Sequence, residues 1–151
     1  MDDVKTILAR AKQRALDQKL PYAGALLPKE AIALLRADPP ATVVDVRTQA
    51  EWYWVGRVPG AVMIEWTSYP GGARNPDFLA QLKACVPATP APVMFLCRSG
   101  HRSHYAAALA TEAGYPSCFN VIEGFEGDRD AQGHRNSING WRVAGLPWEQ
   151  G

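Results

Sequence analysis

Residues 92–113 read as a strand, a tight loop and a helix in direct succession, and that order fixes most of what the chain can become. The apolar run Pro92-Val93-Met94-Phe95-Leu96 delivers Cys97. Arg98-Ser99-Gly100-His101-Arg102-Ser103 follows, and Tyr105–Ala113 is alanine-rich. A short unbroken apolar run suits a strand buried on both faces, and alanine is the strongest helix former. A strand that feeds straight into a covering helix needs parallel neighbours, because the helix carries the chain back along the sheet.

The same alternation recurs on both sides of this junction. Val4, Ile7, Leu8, Ala11 and Ala15 share one face of a polar amphipathic helix across residues 4–20. Leu20-Pro21-Tyr22-Ala23-Gly24 is a connector, and Ala25-Leu26-Leu27 predicts a short edge strand. Pro28 opens a helix over Lys29–Ala37, which Pro39-Pro40 closes. Thr42–Val46 is a β-branched run typical of a buried strand. Thr48 and Glu51 make a capping box for a short helix through Trp52, Trp54 and Val55, ended by Gly56. Ala61–Ile64 gives another strand, and Tyr69-Pro70-Gly71-Gly72 a loop. Asn75-Pro76 predicts the start of a helix that runs to Cys85. Cys118–Ile122 is a further strand, and the tail after Gly124 packs back through Trp141, Leu146 and Trp148. The pattern predicts an N-terminal helix and connector over residues 1–22 and one α/β domain over 23–151. Its largely parallel sheet has about five strands, with helices on both faces.

Bulk properties exclude several classes of function. A chain of 151 residues buries roughly two-thirds of its unfolded surface around one core. Its net charge of +1 offers no electrostatic footprint for nucleic acid or an anionic membrane, and no apolar run has the length of a membrane span. Met1-Asp2-Asp3-Val4-Lys5 lacks the basic-then-apolar pattern of a secretory signal. Three widely spaced cysteines form neither a disulfide framework nor a CxxC metal site, so the expected compartment is a reducing cytoplasm.

The chemistry gathers at Cys97. In parallel sheets ligands sit beyond the carboxyl ends of the strands, where Cys97 falls. There the unpaired N–H groups of the following helix and the guanidinium groups of Arg98 and Arg102 favour thiolate over thiol. Amides from Arg98 to Ser103 are expected to converge on the sulfur as an anion-binding nest, with Gly100 supplying a left-handed backbone. Ser103 is expected to cap the helix. Arg98 and Arg102 suit the oxygens of a multi-oxygen anion. His101 is expected to face solvent or substrate, and His104 to lie in the first helical turn. Asp45 and Arg47 read as buried strand-end groups bracing the site loop, and Glu51 mainly as a helix cap. Trp66 and Tyr69 are read as core or rim rather than pocket wall. Cys85 and Cys118 lack basic neighbours and read as packing residues. Cys97 with His101 and His104 has no fourth ligand nearby, so neither a metal nor an organic cofactor is expected.

Asp45-Val46-Arg47-x-x-x-Glu51, then Gly56-Arg57-Val58-Pro59-Gly60-Ala61, then Cys97-x-x-Gly100-x-Arg102-Ser103 occur in that order. Together they resemble the rhodanese family of sulfurtransferases, from about Pro28 to about Gly127. Gly133-His134-Arg135-Asn136 to Gly140-Trp141, and Gly145-Leu146-Pro147-Trp148, are similar to stand-alone bacterial members. The resemblance implies a three-layer α/β/α domain and a double displacement. Cys97 takes sulfane sulfur from thiosulfate or another persulfide donor and passes it from a cysteine persulfide to cyanide or a thiol, with a protein acceptor as a further candidate. Family members often carry histidine where this chain has Arg57, a change expected to add positive charge near the site.

Two other functions fit parts of the pattern. Cysteine phosphatases and arsenate reductases of related fold have loops resembling Cys-x5-Arg, whereas four residues separate Cys97 from Arg102 here. The shorter loop favours one sulfur over a phosphoryl group. A sulfur-carrier or regulatory module with little free turnover is the other alternative.

Overall fold

The computed structural model describes residues 3–151, so Met1 and Asp2 of the N-terminal reading lie outside the described residues. The elements run α1 (Val4–Gln18), β1 (Gly24–Leu26), α2 (Pro28–Leu35), β2 (Thr42–Asp45), α3 (Gln49–Trp54), β3 (Val62–Met63), α4 (Phe78–Cys85), β4 (Val93–Leu96), α5 (His101–Glu112) and β5 (Cys118–Val121). The five strands form one sheet in the order β1-β5-β4-β2-β3, and every pairing is parallel. Among the described residues no helix is long and apolar enough to cross a membrane.

Strand alternation splits the core into two layers. Val93, Phe95 and Cys97 point to one side with Phe78, Leu82, Ala106 and Ala110 of α4 and α5. Met94 and Leu96 point to the other, with Ile7 and Ala11 of α1, Ala31 and Leu34 of α2, and Phe125 and Trp141 of the tail. The N-terminal helix therefore completes a core layer. It is pinned there by Arg10 and Arg14, which reach Glu30 of α2 at 2.9 and 2.6 Å, and by an Arg14 hydrogen bond to the Ala25 carbonyl.

Two helix starts differ from the sequence reading. Asn75 does not cap α4: its side chain accepts from the Asp77 N–H in a turn, and the helix begins at Phe78. The α5 helix begins at His101 rather than Tyr105, because Gly100, at φ 99°, turns the chain directly into it. Ser103 is consequently a fully buried first-turn residue and not a cap. Thr48 and Glu51 do form the expected capping box.

Candidate active site

The loop after β4 wraps the Cys97 sulfur. The Gly100 N–H lies 3.1 Å from Sγ and the Ser103 hydroxyl 3.2 Å from it, and Cys97 is wholly buried. A backbone amide and the first turn of α5, which is 12 residues long, thus point at one sulfur atom. Both favour negative charge there.

Behind the sulfur runs a chain of hydrogen bonds that the sequence reading missed. Ser103 donates to Asn120 Oδ1 at 2.6 Å, and Asn120 Nδ2 donates to the Gly100 carbonyl at 3.1 Å and to the Tyr22 hydroxyl at 3.3 Å. Tyr22 in turn lies 2.7 Å from His104 Nδ1. Asn120 therefore holds the Gly100 peptide whose neighbouring N–H meets the sulfur. Burial raises the Tyr22 pKa, and the Asn120 hydrogen bond opposes that rise in part. A lone asparagine inside the apolar strand Cys118-Phe119-Asn120-Val121 was the available signal.

A turn after β5 braces the loop from the other side. The N–H groups of Phe125, Glu126 and Gly127 bond the carbonyls of Cys97 and Arg98 at 2.8, 2.9 and 3.2 Å. Gly124 makes this approach feasible: at φ 65°, a Cβ there would sit 2.6 Å from the Arg98 backbone.

Arg98 and Arg102 both line an open cleft of about 1320 Å³ next to the loop. Arg98 is exposed and, among the described residues, makes no ion pair or side-chain hydrogen bond. Arg102 is instead clamped by Glu51 through bonds of 2.7 and 2.9 Å. Burial opposes charge on both partners, yet the paired hydrogen bonds and mutual attraction win. They hold Glu51 below the usual carboxylate range and Arg102 above its usual value. Glu51 is thus both a cap and the anchor of the loop's last arginine. Its capping position in the sequence concealed the second task.

The remaining expected residues separate clearly. Asp45 and Arg47 are fully buried and paired at 2.7 Å, and Arg47 also bonds the Gly56 carbonyl and stacks over Phe125. They tie β2 and Gly56 to the bracing turn that holds the Cys97 loop. Ser99 is half-buried, and His101 is an exposed helix residue edge-on to Tyr105. Trp66 is core, packed on Phe78, while Tyr69 sits at the cleft rim. Arg57 does not add charge at the site: it turns to the tail, bonding the Trp52 and Gly151 carbonyls. Cys118 is buried, which raises its thiol pKa, but Cys85 is exposed rather than packed.

The rhodanese-like domain family matches residues 27–131. A protein of Rickettsia conorii, described as uncharacterized, is 36% identical over 121 residues, covering 80% of this chain and 92% of its own. The crystal structure of Rv0390 from M. tuberculosis shares 47% identity at a TM-score of 0.79, covering 86% of this chain and 99% of that one. A Rhodopseudomonas palustris structure described as a possible tyrosine phosphatase shares the fold at 21% identity and a TM-score of 0.54, covering 99% and 96% of the two chains.

Proposed function

This chain belongs to the rhodanese-like domain family, and on that premise we propose that it is a sulfurtransferase with Cys97 as its nucleophile. The observation that carries the reading is the Cys97 sulfur met by the Gly100 N–H at the start of α5, with the Ser103 oxygen 3.2 Å away. The Cys97 thiolate attacks the outer sulfur of thiosulfate. The donor's S–S bond breaks, sulfite leaves with the bonding pair, and Cys97 carries a persulfide. Cyanide or a thiolate then attacks that outer sulfur, and the bonding pair returns to Cys97. The loop amide and the α5 terminus stabilise charge on sulfur in both halves. Arg98 takes sulfonate oxygens with an unpaired guanidinium. Arg102, clamped by Glu51, sets the loop's shape and contributes its charge more weakly.

The donor is a small sulfur-containing anion, the acceptor is a thiol or cyanide, and the setting is the cytoplasm. No metal, organic cofactor, nucleic acid or membrane takes part. Support for a persulfide comes from a fold relative at 20% identity and a TM-score of 0.57, EanB, whose structure holds ergothioneine linked with a cysteine persulfide.

Intact-protein mass spectrometry tests the reading. Thiosulfate adds the mass of one sulfur, and cyanide removes it. No gain from any sulfane donor, together with turnover of a phosphate ester, would replace sulfur transfer by phosphatase chemistry. Arg98→Ala is expected to raise the KM for thiosulfate while sparing loading from an uncharged persulfide donor, so equal losses with both donors would remove Arg98 from anion binding.

Asn120 enters as a positioning residue. Asn120→Ala is expected to slow persulfide formation by roughly tenfold, about 1.4 kcal/mol of barrier, with the KM for thiosulfate little changed. Tyr22→Phe, which keeps the ring and loses one partner of Asn120, gives a smaller effect in the same direction. A change confined to KM would instead place Asn120 in donor binding.

A further inference from the structure

We infer that His104 is a positioning residue for the sulfur chemistry, and that it works only as a neutral ring. Its role rests on the sulfur transfer proposed at Cys97 and is exercised through Tyr22 and Asn120.

Donor and acceptor chemistry fixes the direction of every bond in the chain behind the sulfur. The Gly100 carbonyl can only accept, so the Asn120 side chain must face it with Nδ2, at 3.1 Å. That turns Oδ1 towards Ser103, whose single hydroxyl hydrogen is spent there at 2.6 Å. The second Nδ2 hydrogen goes to the Tyr22 oxygen at 3.3 Å. Tyr22 then has its own hydrogen to place, and His104 Nδ1 lies 2.7 Å away. Burial raises the Tyr22 pKa, so the hydroxyl keeps that hydrogen. Nδ1 must therefore accept, which a neutral imidazole with its proton on Nε2 can do.

Protonation reverses the last of these bonds. An imidazolium carries hydrogen on both nitrogens, and its Nδ1–H meets an oxygen that already accepts from Asn120. The Tyr22 hydrogen is then left without a partner on a residue only 6% exposed. Turning the hydroxyl away gives up the Asn120 bond, one of three that hold the Asn120 amide. Asn120 in turn holds Gly100 and Ser103, whose N–H and oxygen lie 3.1 and 3.2 Å from the sulfur. An amide passes no proton along such a chain. The ring therefore acts on the geometry of the loop, and not as an acid or base for the sulfur.

The ring stands where solvent protons reach it. His104 is half-buried in the first turn of α5, edge-on to Tyr22 at 5.2 Å and to Tyr105 at 5.1 Å. Tyr22 faces it from the connector. Tyr105 faces it from α5 itself, with His101 edge-on beyond that tyrosine. Among the described residues no carboxylate pairs with His104. No ion pair therefore locks the ring in its charged form.

NMR titration and loading kinetics of the full chain test this together. In Cys97→Ser protein, which has no titrating thiol at the site, the Gly100 amide resonance is expected to shift with pH at the midpoint of the His104 ring. Tyr22→Phe breaks the connection and removes that shift while the ring still titrates. A Gly100 amide that ignores the ring, or follows it equally in Tyr22→Phe, would overturn the inference whether or not Cys97 loads sulfur. In protein with Cys97 intact, loading from saturating thiosulfate should slow as pH falls through the same midpoint, with KM little changed. His104→Ala should slow loading roughly threefold, the scale of one neutral hydrogen bond. It should also lose that inflection, which separates the ring from titration of the thiol. His104→Asn keeps an acceptor near the Nδ1 position and should recover part of the rate, again without the inflection. Adding Tyr22→Phe to His104→Ala should cost nothing further, because both remove one bond. Additive losses, or an inflection that survives in His104→Ala, would leave His104 a packing residue only.

Discussion

Cys97→Ser protein is expected to remain folded and to take up no sulfur. The serine oxygen replaces a buried sulfur that meets the Gly100 N–H and the Ser103 hydroxyl, so both groups keep a partner. The stability cost is then that of a conservative buried change, about 1 kcal/mol. The hydroxyl is a far weaker nucleophile at neutral pH and has no base beside it comparable to those that activate serine enzymes. Transfer should fall by roughly 10³-fold or more, the scale seen when a nucleophile is removed. Unfolding curves paired with mass spectra before and after thiosulfate decide the matter. Uptake of sulfur by the variant would move the nucleophile to Cys85 or Cys118, and a large stability loss would make Cys97 structural.

The largest stability effect is expected at Arg47. Its guanidinium is fully buried, bonded to both Asp45 carboxylate oxygens and the Gly56 carbonyl, and stacked on Phe125 at 4.3 Å. Arg47→Met leaves the Asp45 charge buried without its partner. Removing one member of such a pair costs about 3–5 kcal/mol, on the order of 10 °C in Tm for a chain of this size. Arg47→Met combined with Asp45→Asn should lose much less than the sum of the two single changes, because the charges leave together. Thermal unfolding of the three variants measures this coupling, and simple additivity would mean the pair contributes little. Phe125 lies in the turn that braces Cys97 and Arg98, so Arg47→Met should also lower sulfur loading per folded molecule.

The βα alternation was legible because burial acts locally. Thr42, Val43, Val44 and Val46 are β-branched and Val93–Leu96 is apolar throughout, patterns that suit strands covered on both faces, and both segments entered the sheet. The edge strand near Ala25 and the Thr48–Glu51 capping box were likewise written in neighbouring residues. Helix starts were less legible. Gly100 and Asn75 each suit several turn geometries, and the choice between them depends on what the chain meets next.

The site divides along the same line. Local sequence alone placed one cysteine at a strand-to-helix junction with a glycine and two arginines, because strand, loop and helix are contiguous and their dipoles follow from the order. Only the tertiary structure decided how those groups are used. Glu51, 51 residues before Arg102, takes that arginine's fork. Asn120 and Tyr22, from β5 and the connector, hold the Gly100 peptide, and the tail delivers Arg129 and Arg135 to the cleft. Each of these pairings joins residues distant in sequence through a hydrogen bond or a shared cleft. Their short-range geometry exists only once the parallel sheet has brought the segments side by side.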